Sequence, residues 1–280
     1  GVPPRITSLT IGGRPRIVAL VGNPNTGKTS LFNALTGFRR HVANYPGVTV
    51  EVGRGPVRGG GAIQMELLDL PGTYSLAALS PDEQIVSDAL LGRLPTQSPP
   101  DVILAVVDAL NLRRTLYLVS QVLDAGVPVV VAVNMMDLAR RAGVTVDCAK
   151  LAERLGCAVV PVSARDPRTL RPLVAALEAA TRGDGPPTRG PNLGALQAAI
   201  AQRFRALPRL AALRVLVDEG GEAEARFLAD GGDHSELAAA RAQVRAAGHE
   251  PATEETRARY AWIDGALRDV VGEQHPEPLT

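Results

Sequence analysis

The segment that most limits what this chain can fold into is Gly22-Asn23-Pro24-Asn25-Thr26-Gly27-Lys28-Thr29. It fits the pattern Gly-x-x-x-x-Gly-Lys-Ser/Thr, and it sits between a branched apolar run at residues 17–21 and a stretch of helical spacing at 29–35. Strand, loop, helix is the order in which a backbone can turn its N–H groups inward around phosphate oxygens while the helix N-terminus adds positive potential. The candidate cradle is Gly22, Asn23, Pro24, Asn25, Thr26, Gly27, Lys28, Thr29 and Ser30. Lys28 would reach the terminal phosphates, and the Thr29 hydroxyl can ligate Mg²⁺. Lys28 and Lys150 are the two lysines among thirty basic residues, and a compact ammonium is not interchangeable with a guanidinium in a tight site.

Further runs of buried-strand character lie at residues 63–68, 102–107, 127–133 and 159–162, with a shorter piece at 48–52 nearer an edge. With 17–21 they predict a mostly parallel sheet of six strands. Helical spacing fills most of the intervals. Ser80-Pro81-Asp82-Glu83 is a capping box with proline at the first helical position, so a helix should open there and run to Gly92. Residues 112–125 stop at Gly126 and 147–155 stop at Gly156, each glycine suited to the left-handed residue just past a helix end. This alternation predicts an α/β fold with helices on both faces of the sheet.

The alternation ends after a helix at 170–180, where RGDGPPTRGP at 182–191 is dense in glycine and proline. Beyond it the patterns are helical, at 193–206, 209–217, 223–229, 235–247 and 253–271. The expected divisions are a loose segment 1–15, a nucleotide-binding unit 16–182, a linker 183–192, an all-helical unit 193–272 and a tail 273–280.

Asp69-Leu70-Pro71-Gly72 closes the strand at 63–68 and puts a carboxylate at the carboxyl edge of the sheet, where ligands gather. Alone, Asp-x-x-Gly is an ordinary turn; downstream of a phosphate loop it acquires a role. Asp69 can hold Mg²⁺, directly or through water, and Gly72 would present its N–H to a γ-phosphate, so the loop behind it could sense that phosphate. Between the two motifs, in Asn44-Tyr45-Pro46-Gly47-Val48-Thr49, Thr49 could complete the Mg²⁺ shell when triphosphate is bound. Asn134-Met135-Met136-Asp137 closes the strand at 127–133. The Asp137 carboxylate can accept from the ring N–H and exocyclic amine of guanine, whereas adenine presents a lone pair and would leave it unpaired. Guanine is therefore the expected base, and Ser163-Ala164-Arg165 could add a backbone donor to its carbonyl oxygen. The expected ligands are GTP or GDP with Mg²⁺.

Composition narrows the alternatives. Hydrophobic residues make up 45 % of the chain and charged ones 21 %, which excludes disorder as a whole-chain reading. The longest apolar stretch, 127–133, is far short of the roughly 18 residues of a membrane-spanning helix. Cys148 and Cys157 form neither a disulfide framework nor a metal-binding spacing, which favours a reducing, cytoplasmic setting. His41, His234, His249 and His275 are scattered without metal spacing. Residues 1–217 hold 24 basic and 15 acidic side chains, against 6 and 14 in 218–280, so the net charges are +9 and −8. An acidic end and nine aromatic residues argue against nucleic acid as a partner.

The segments GNPNTGKTSLFNALTG, NYPGVTVE, DLPGTYSL, DALNLRRTLYLVSQVLDAGVPVVVAVNMMD and ARYAWID resemble the cytosolic N-terminal part of the bacterial ferrous iron transport protein B family, over about residues 16–271. The resemblance implies a Ras-like GTPase domain and then a helical domain of the GDP-dissociation-inhibitor kind. It also implies a membrane domain of the same polypeptide beyond residue 280 that moves Fe²⁺, and a place at the cytoplasmic face of the bacterial inner membrane. It leaves a homo-oligomer open. The implied reaction is GTP hydrolysis, with Lys28, Gly72, Asn25 and Thr49 as the catalytic set and switching loops around Thr49 and Gly72.

Two departures from the general GTPase pattern bear on rate and affinity. Met135 stands where most GTPases have a lysine over the base, although the resembled family often has methionine there, so guanine affinity should be modest. Thr73 stands where many have a water-orienting glutamine, so intrinsic turnover should be slow. Asn25 offers compensation, because the resemblance implies that it helps hold K⁺ beside the phosphates in an arginine-finger role. The rival readings are a GTPase of ribosome or transfer-RNA maturation, against which the acidic end counts, and an ATP-dependent P-loop enzyme in which Asp137 would merely cap a turn.

Overall fold

In the computed structural model the described residues are 14–38, 41–44, 51–61, 63–77, 80–94, 98–184 and 190–273. Strands and helices alternate through the first part: β1 (Arg16–Gly22), α1 (Lys28–Thr36), β2 (His41–Asn44), β3 (Glu51–Pro56), β4 (Met65–Asp69), α2 (Pro81–Leu90), β5 (Val102–Asp108) and α3 (Leu112–Val122). A 3₁₀ turn at Leu123–Ala125 extends α3, and β6 (Val129–Asn134), α4 (Met136–Arg141), β7 (Val144–Val146), α5 (Cys148–Leu155), β8 (Ala158–Pro161) and α6 (Pro167–Arg182) follow. The rest is α7 (Ala195–Arg203), α8 (Arg209–Val217), α9 (Glu222–Ala229), α10 (His234–Ala246), α11 (Pro251–Leu267) and β9 (Val271–Glu273).

The main sheet runs β2-β3-β4-β1-β5-β6-β8. β4, β1, β5, β6 and β8 are parallel, while β3 lies antiparallel to β4 and β2 antiparallel to β3. Because side chains alternate between faces, Val18 and Leu20 of β1 join Leu31, Phe32, Leu173 and Leu177 of α1 and α6 on one side. Ala19 and Val21 join Ile85, Leu116, Val119 and Leu151 of α2, α3 and α5 on the other. That two-sided burial explains why the central strands read as continuous apolar runs. It also brings the carboxyl ends of β1, β4, β5 and β6 to one edge: Leu20 pairs with Asp69, Gly22 with Val106, and Asp108 with Asn134.

The capping signals act where the residues place them. The Ser80 side chain accepts from the Glu83 N–H, and Gly126 and Gly156 take left-handed φ of 74° and 66° past the α3 extension and α5.

The strand count differs from expectation. Among the described residues the sheet has seven strands, not six. The added strand, β2, has no long apolar run, and it exists through hairpin pairing with β3, His41 opposite Arg54 and Asn44 opposite Glu51. The edge piece expected at 48–52 is strand over Glu51–Pro56, a segment whose Gly53, Gly55 and Pro56 carry weak strand propensity; residues 45–50, including Thr49, lie outside the described residues. The helical unit also departs from expectation. Its last helix ends at Leu267 instead of continuing to residue 271; Asp269 takes a left-handed φ of 58°, and β9 pairs antiparallel with β7. Of the expected linker, residues 185–189 lie outside the described residues.

Helices α7, α8 and α10 enclose a core of their own around Leu196, Ile200, Phe204, Leu213, Leu216, Leu237 and Val244. Ile263, Ala266 and Val270 of the α11 region instead complete the core under α3 and α5. At that junction sits an ionic cluster. Arg259 is 0 % exposed and Arg214 2 %, a burial rare for arginine unless the charge is paired. Arg259 donates to Glu255 at 2.9 Å, to Asp124 at 2.6 Å and to the Ser120 carbonyl at 2.5 Å. Arg214 donates to Glu255 at 2.5 Å and to Asp218 at 2.9 Å, and Arg209 donates to Asp124 at 2.5 Å. Three guanidiniums thus face three carboxylates, and the cluster is neutral.

Burial alone would push the Glu255 carboxyl up, but the Arg214 and Arg259 guanidiniums outweigh it and hold the group at about 2 instead of the ordinary 4.5. A carboxyl lowered by folding stabilises the fold fully above its unfolded value, and that stabilisation is lost as pH falls through the folded value. We expect Glu255→Gln to lower stability by about 3 kcal/mol at neutral pH. The difference from wild type should shrink as pH falls from 4.5 towards about 2. Thermal melting of both proteins across that range checks it; a gap independent of pH would contradict the assignment.

Candidate functional site

The phosphate-loop segment follows β1 directly and leads into α1. Its backbone is shaped by two left-handed residues, Asn25 at φ 66° and Gly27 at φ 78°, and by Thr26, whose N–H and hydroxyl both donate to the Asn23 carbonyl, the hydroxyl at 2.8 Å. Asn25, Thr29 and Ser30 are exposed, whereas Asn23 and Thr26 are buried. Both polar atoms of the buried Asn23 amide lack a partner. Gly22 has no room for a side chain, since a Cβ there would meet the Val106 carbonyl oxygen at 2.9 Å.

Lys28, at the head of α1, reaches back over the loop to the end of β4. Its Nζ donates to Asp69 Oδ1 at 2.5 Å and to the Leu70 carbonyl at 2.6 Å, so the ammonium and the Asp69 carboxylate form a largely buried pair at the sheet edge. The chain after Asp69 is laid onto the phosphate loop: Leu70 N–H donates to the Leu20 carbonyl and Thr73 N–H to the Gly22 carbonyl. A Cβ on Gly72 would lie 3.3 Å from the Pro24 nitrogen, which shows how closely that backbone approaches. The Thr73 hydroxyl is turned inward, donating to the Ser75 carbonyl at 2.7 Å.

On the other side of the loop a cavity of about 150 Å³ is lined by Gly27, Ser30, Asn134, Met135, Asp137, Leu138, Ser163, Ala164 and Arg165. Three segments distant in sequence meet here because β1, β6 and β8 end at one edge. Asn134, buried at the end of β6, donates its Nδ2 to the Thr26 carbonyl at 2.9 Å. Met135 takes a left-handed φ of 63° and turns the chain into the short helix α4, where Asp137 occupies the first turn. Ser163, after β8, donates its hydroxyl to Asp137 Oδ1 at 3.2 Å, which leaves the carboxylate with lone pairs facing the cavity. Thr169 holds the Ser163 N–H at 3.1 Å, and the Asp166 side chain caps α6 directly behind.

Lys28, Asp69 and Gly72 thus gather at one end of the phosphate loop, and Asn134, Met135, Asp137, Ser163, Ala164 and Arg165 at the other. Thr49, the remaining member of the expected set, lies outside the described residues, as does His275. Among the described residues no group of three or more His, Cys, Asp or Glu is placed to hold a metal, and no helix is long and apolar enough to cross a membrane. Cys148 and Cys157 are free thiols that burial pushes up to about 11 and about 12, which favours their neutral form. Sequence reasoning missed the polar residues between this edge and α11. Gln121, Glu255, Arg214 and Arg259 belong to no motif, although Arg214 within RLAALRVLV stands on a helix that is apolar apart from it and Arg209.

A protein-family model described as "Ferrous iron transport protein B" matches residues 16–177. The Fe(2+) transporter FeoB of Legionella pneumophila (strain Lens) is 48 % identical over 149 residues, which are 52 % of this chain and 19 % of that protein. The Fe(2+) transporter FeoB of Salmonella typhimurium is 44 % identical over 165 residues, 58 % of this chain and 21 % of that protein. The chain therefore spans about a fifth of the length of the curated relatives it matches. Among solved structures, a GDP-bound point mutant of S. thermophilus NFeoB superposes with a TM-score of 0.81 at 32 % identity, covering 92 % of this chain and all of that one (100 %). The mGMPPNP-bound NFeoB of S. thermophilus gives 0.76 at 33 % identity, with coverage of 94 % and 100 %. The apo cytosolic domain of T. maritima FeoB gives 0.73 at 29 % identity, with coverage of 92 % and 99 %.

The geometry at Gly27 sets a test of the loop itself. A Cβ there would combine a φ of +78° with a direct clash against Asn134 Nδ2, whereas at Gly126, φ +74°, nothing lies within 4 Å. Gly126→Ala should cost about 1 kcal/mol of backbone strain. Gly27→Ala should cost about 2 kcal/mol more, because it also displaces the buried Asn134 amide. Urea denaturation compares them, and equal losses would mean that the Asn134 contact adds nothing.

Proposed function

This chain belongs to the ferrous iron transport protein B family, and from that premise we propose that it binds guanine nucleotide and hydrolyses GTP as the switch of an Fe²⁺-transporting membrane protein. The observation that carries this reading is the cavity in which the Asp137 carboxylate, steadied by Ser163, faces a space walled by Gly27 and Ser30 of the phosphate loop. A base in that space lies beside the loop that takes its phosphates. Asp137 pairs with the ring N–H and amine of guanine, Met135 covers the ring with an apolar surface, and the 163–165 turn offers a backbone donor to its carbonyl.

At the other end, the N–H groups of Asn25 to Thr29 enclose the phosphates and Lys28 adds a point charge. Thr29 and Asp69 offer hard oxygen donors at the head of α1 and the end of β4, a set suited to Mg²⁺, with Thr49 as the further ligand. Held by these residues Mg²⁺ would neutralise phosphate charge, and the exposed Asn25 would offer an amide oxygen to K⁺ for the same purpose. Gly72 presents its N–H to the γ-phosphate. The Thr73 hydroxyl is engaged by the Ser75 carbonyl and does not replace a water-orienting glutamine, which supports slow intrinsic turnover. Residues 16–182 form the GTPase unit, and 193–272 the helical unit that responds to it, joined by the linker 183–192. The Fe²⁺-moving membrane domain of the same polypeptide is the partner, consistent with relatives about five times the matched length.

Two measurements test this reading. Asp137→Asn should weaken GDP binding about hundredfold, the worth of two charge-assisted hydrogen bonds, and improve binding of xanthosine diphosphate, whose carbonyl oxygen in place of the guanine amine accepts from the new amide. Calorimetry with both nucleotides decides it; undiminished GDP binding would remove Asp137 from the site. GTP turnover should be about tenfold faster in KCl than in NaCl, and Asn25→Ala should erase the difference. Equal wild-type rates in the two salts would remove K⁺.

A further inference from the structure

Around the mouth of the cavity that Asp137 faces, the protein gathers cations that it does not pair. Arg165 lines that mouth together with Leu138 of α4. Arg140 and Arg141 follow in the last turn of α4, and Arg141 stands four residues from Asp137, on the same side of that helix. Arg168 and Arg171 stand one turn apart at the start of α6, which Asp166 caps. All five arginines are exposed. Asp166 engages Arg168 at 2.9 Å, whereas among the described residues Arg140, Arg141, Arg165 and Arg171 have no ion pair or side-chain hydrogen bond.

Stability does not account for this arrangement. Arginines suit the carboxyl end of α4, where the helix dipole is negative, but Arg165 and Arg171 flank the amino end of α6, where it is positive and a cation is disfavoured. Unpaired guanidiniums around one opening also repel one another, and an external anion removes both costs. That anion is not the nucleotide, because in the reading above the cavity takes the uncharged base while the phosphates lie with Lys28. Nor is the rim a cradle for one small anion, since its cations stand on α4 at one side of an opening and at the start of α6 on the other, all in solvent. It is a broad basic surface with an apolar side chain, Leu138, 40 % exposed within it. Such a surface fits an extended array of anionic head groups. The place where the chain leaves the fold lies beside it. β7 begins three residues after Arg141, and its Val144 is paired with Glu273, the last described residue. Three residues of chain and one strand spacing put the Glu273 Cα within about 16 Å of the Arg141 Cα.

We propose that the face carrying Arg140, Arg141, Arg165 and Arg171 docks onto an anionic phospholipid surface, with Leu138 entering the head-group layer, so that the molecule rests on the bilayer beside the point from which its chain continues. The inference goes beyond the GTPase reading and takes from it only the neighbouring membrane. The contact itself belongs to these residues and does not require an occupied nucleotide site.

The test is co-sedimentation of the full 280-residue chain with vesicles of phosphatidylcholine containing about 30 % phosphatidylglycerol, and of phosphatidylcholine alone, at about 0.05 M and about 0.5 M NaCl. The chain should pellet with the anionic vesicles at low salt, stay in solution with the neutral ones, and be released at high salt. Arg141→Gln/Arg171→Gln should reduce partitioning about twentyfold, each arginine near such a surface contributing about fivefold. Arg93→Gln/Arg205→Gln removes the same charge from exposed positions near α8 and should change partitioning by less than about twofold. Calorimetry should show both double variants binding GDP as the wild type does. Wild-type chain that stays in solution with the anionic vesicles, or pellets equally with the neutral ones, overturns the proposal, as do equal losses from the two double variants. So does an Arg141→Gln/Arg171→Gln chain that keeps its vesicle binding but takes up GDP more slowly, which would make the rim a guide for nucleotide, or a wild type retained by single-stranded RNA and not by vesicles. Charge-dependent vesicle binding by a chain that binds no GDP would remove the site reading and leave this contact standing.

Discussion

The bond from the Asn134 amide to the Thr26 carbonyl is the contact on which the site depends. It is 2.9 Å long, buried, and joins two segments 108 residues apart in sequence. It ties the phosphate loop directly to the cavity lined by Asp137 and Ser163. The bond has two prerequisites in the chain. Gly27 must lack a side chain, because a Cβ would occupy the Asn134 nitrogen's place, and β1, β5 and β6 must be in a register that brings Gly22, Val106, Asp108 and Asn134 to one edge. Both follow from sequence, one from a single residue and the other from three apolar runs that fit side by side.

A second constraint governs how the helical part sits. Burying two arginines is costly unless each is paired and hydrogen-bonded, so Arg214 and Arg259 tolerate few arrangements of α8 and α11 against α3. Two carboxylates in the cluster each serve more than one guanidinium: Glu255 takes Arg214 and Arg259, and Asp124 takes Arg209 and Arg259. An apolar junction of the same area would permit sliding. This one specifies geometry, and Gln121 of α3 bonds both to Glu255 within it and to Leu76 N–H outside it.

The readable parts of the sequence were those whose physics is local. The phosphate loop, the Ser80 cap and the glycines ending helices each state their conformation within a few residues, and the strand-terminal motifs fall at one edge because parallel strands align their carboxyl ends. Gly27, Asn134, Met135, Asp137 and Ser163 could therefore be singled out together. What escaped was decided by partners elsewhere. β2 and β9 are short segments made into strands by β3 and β7, and Val271-Gly272-Glu273 carries no alternation that would separate it from the helix before it. Gln121 lies on a helix that periodicity finds correctly, yet its two bonds go to Leu76 and Glu255, 45 and 134 residues away, which no local pattern can show.

The opposed charges of residues 1–217 and 218–280 now have a partial physical account. Arg113 pairs with Asp264, Arg203 with Glu236 and Arg214 with Glu255, each joining the basic part to the acidic part. Arg259 with Asp124 and Arg226 with Asp88 run the opposite way, so the match is made pair by pair and not by attraction between two uniformly charged bodies. Their positions also divide the labour. The Arg113–Asp264 pair is half exposed on both sides and is screened by salt, so it adds little; the pairs around Glu255 are hidden from solvent and keep their strength. Raising ionic strength should therefore loosen the rim of the junction before its centre.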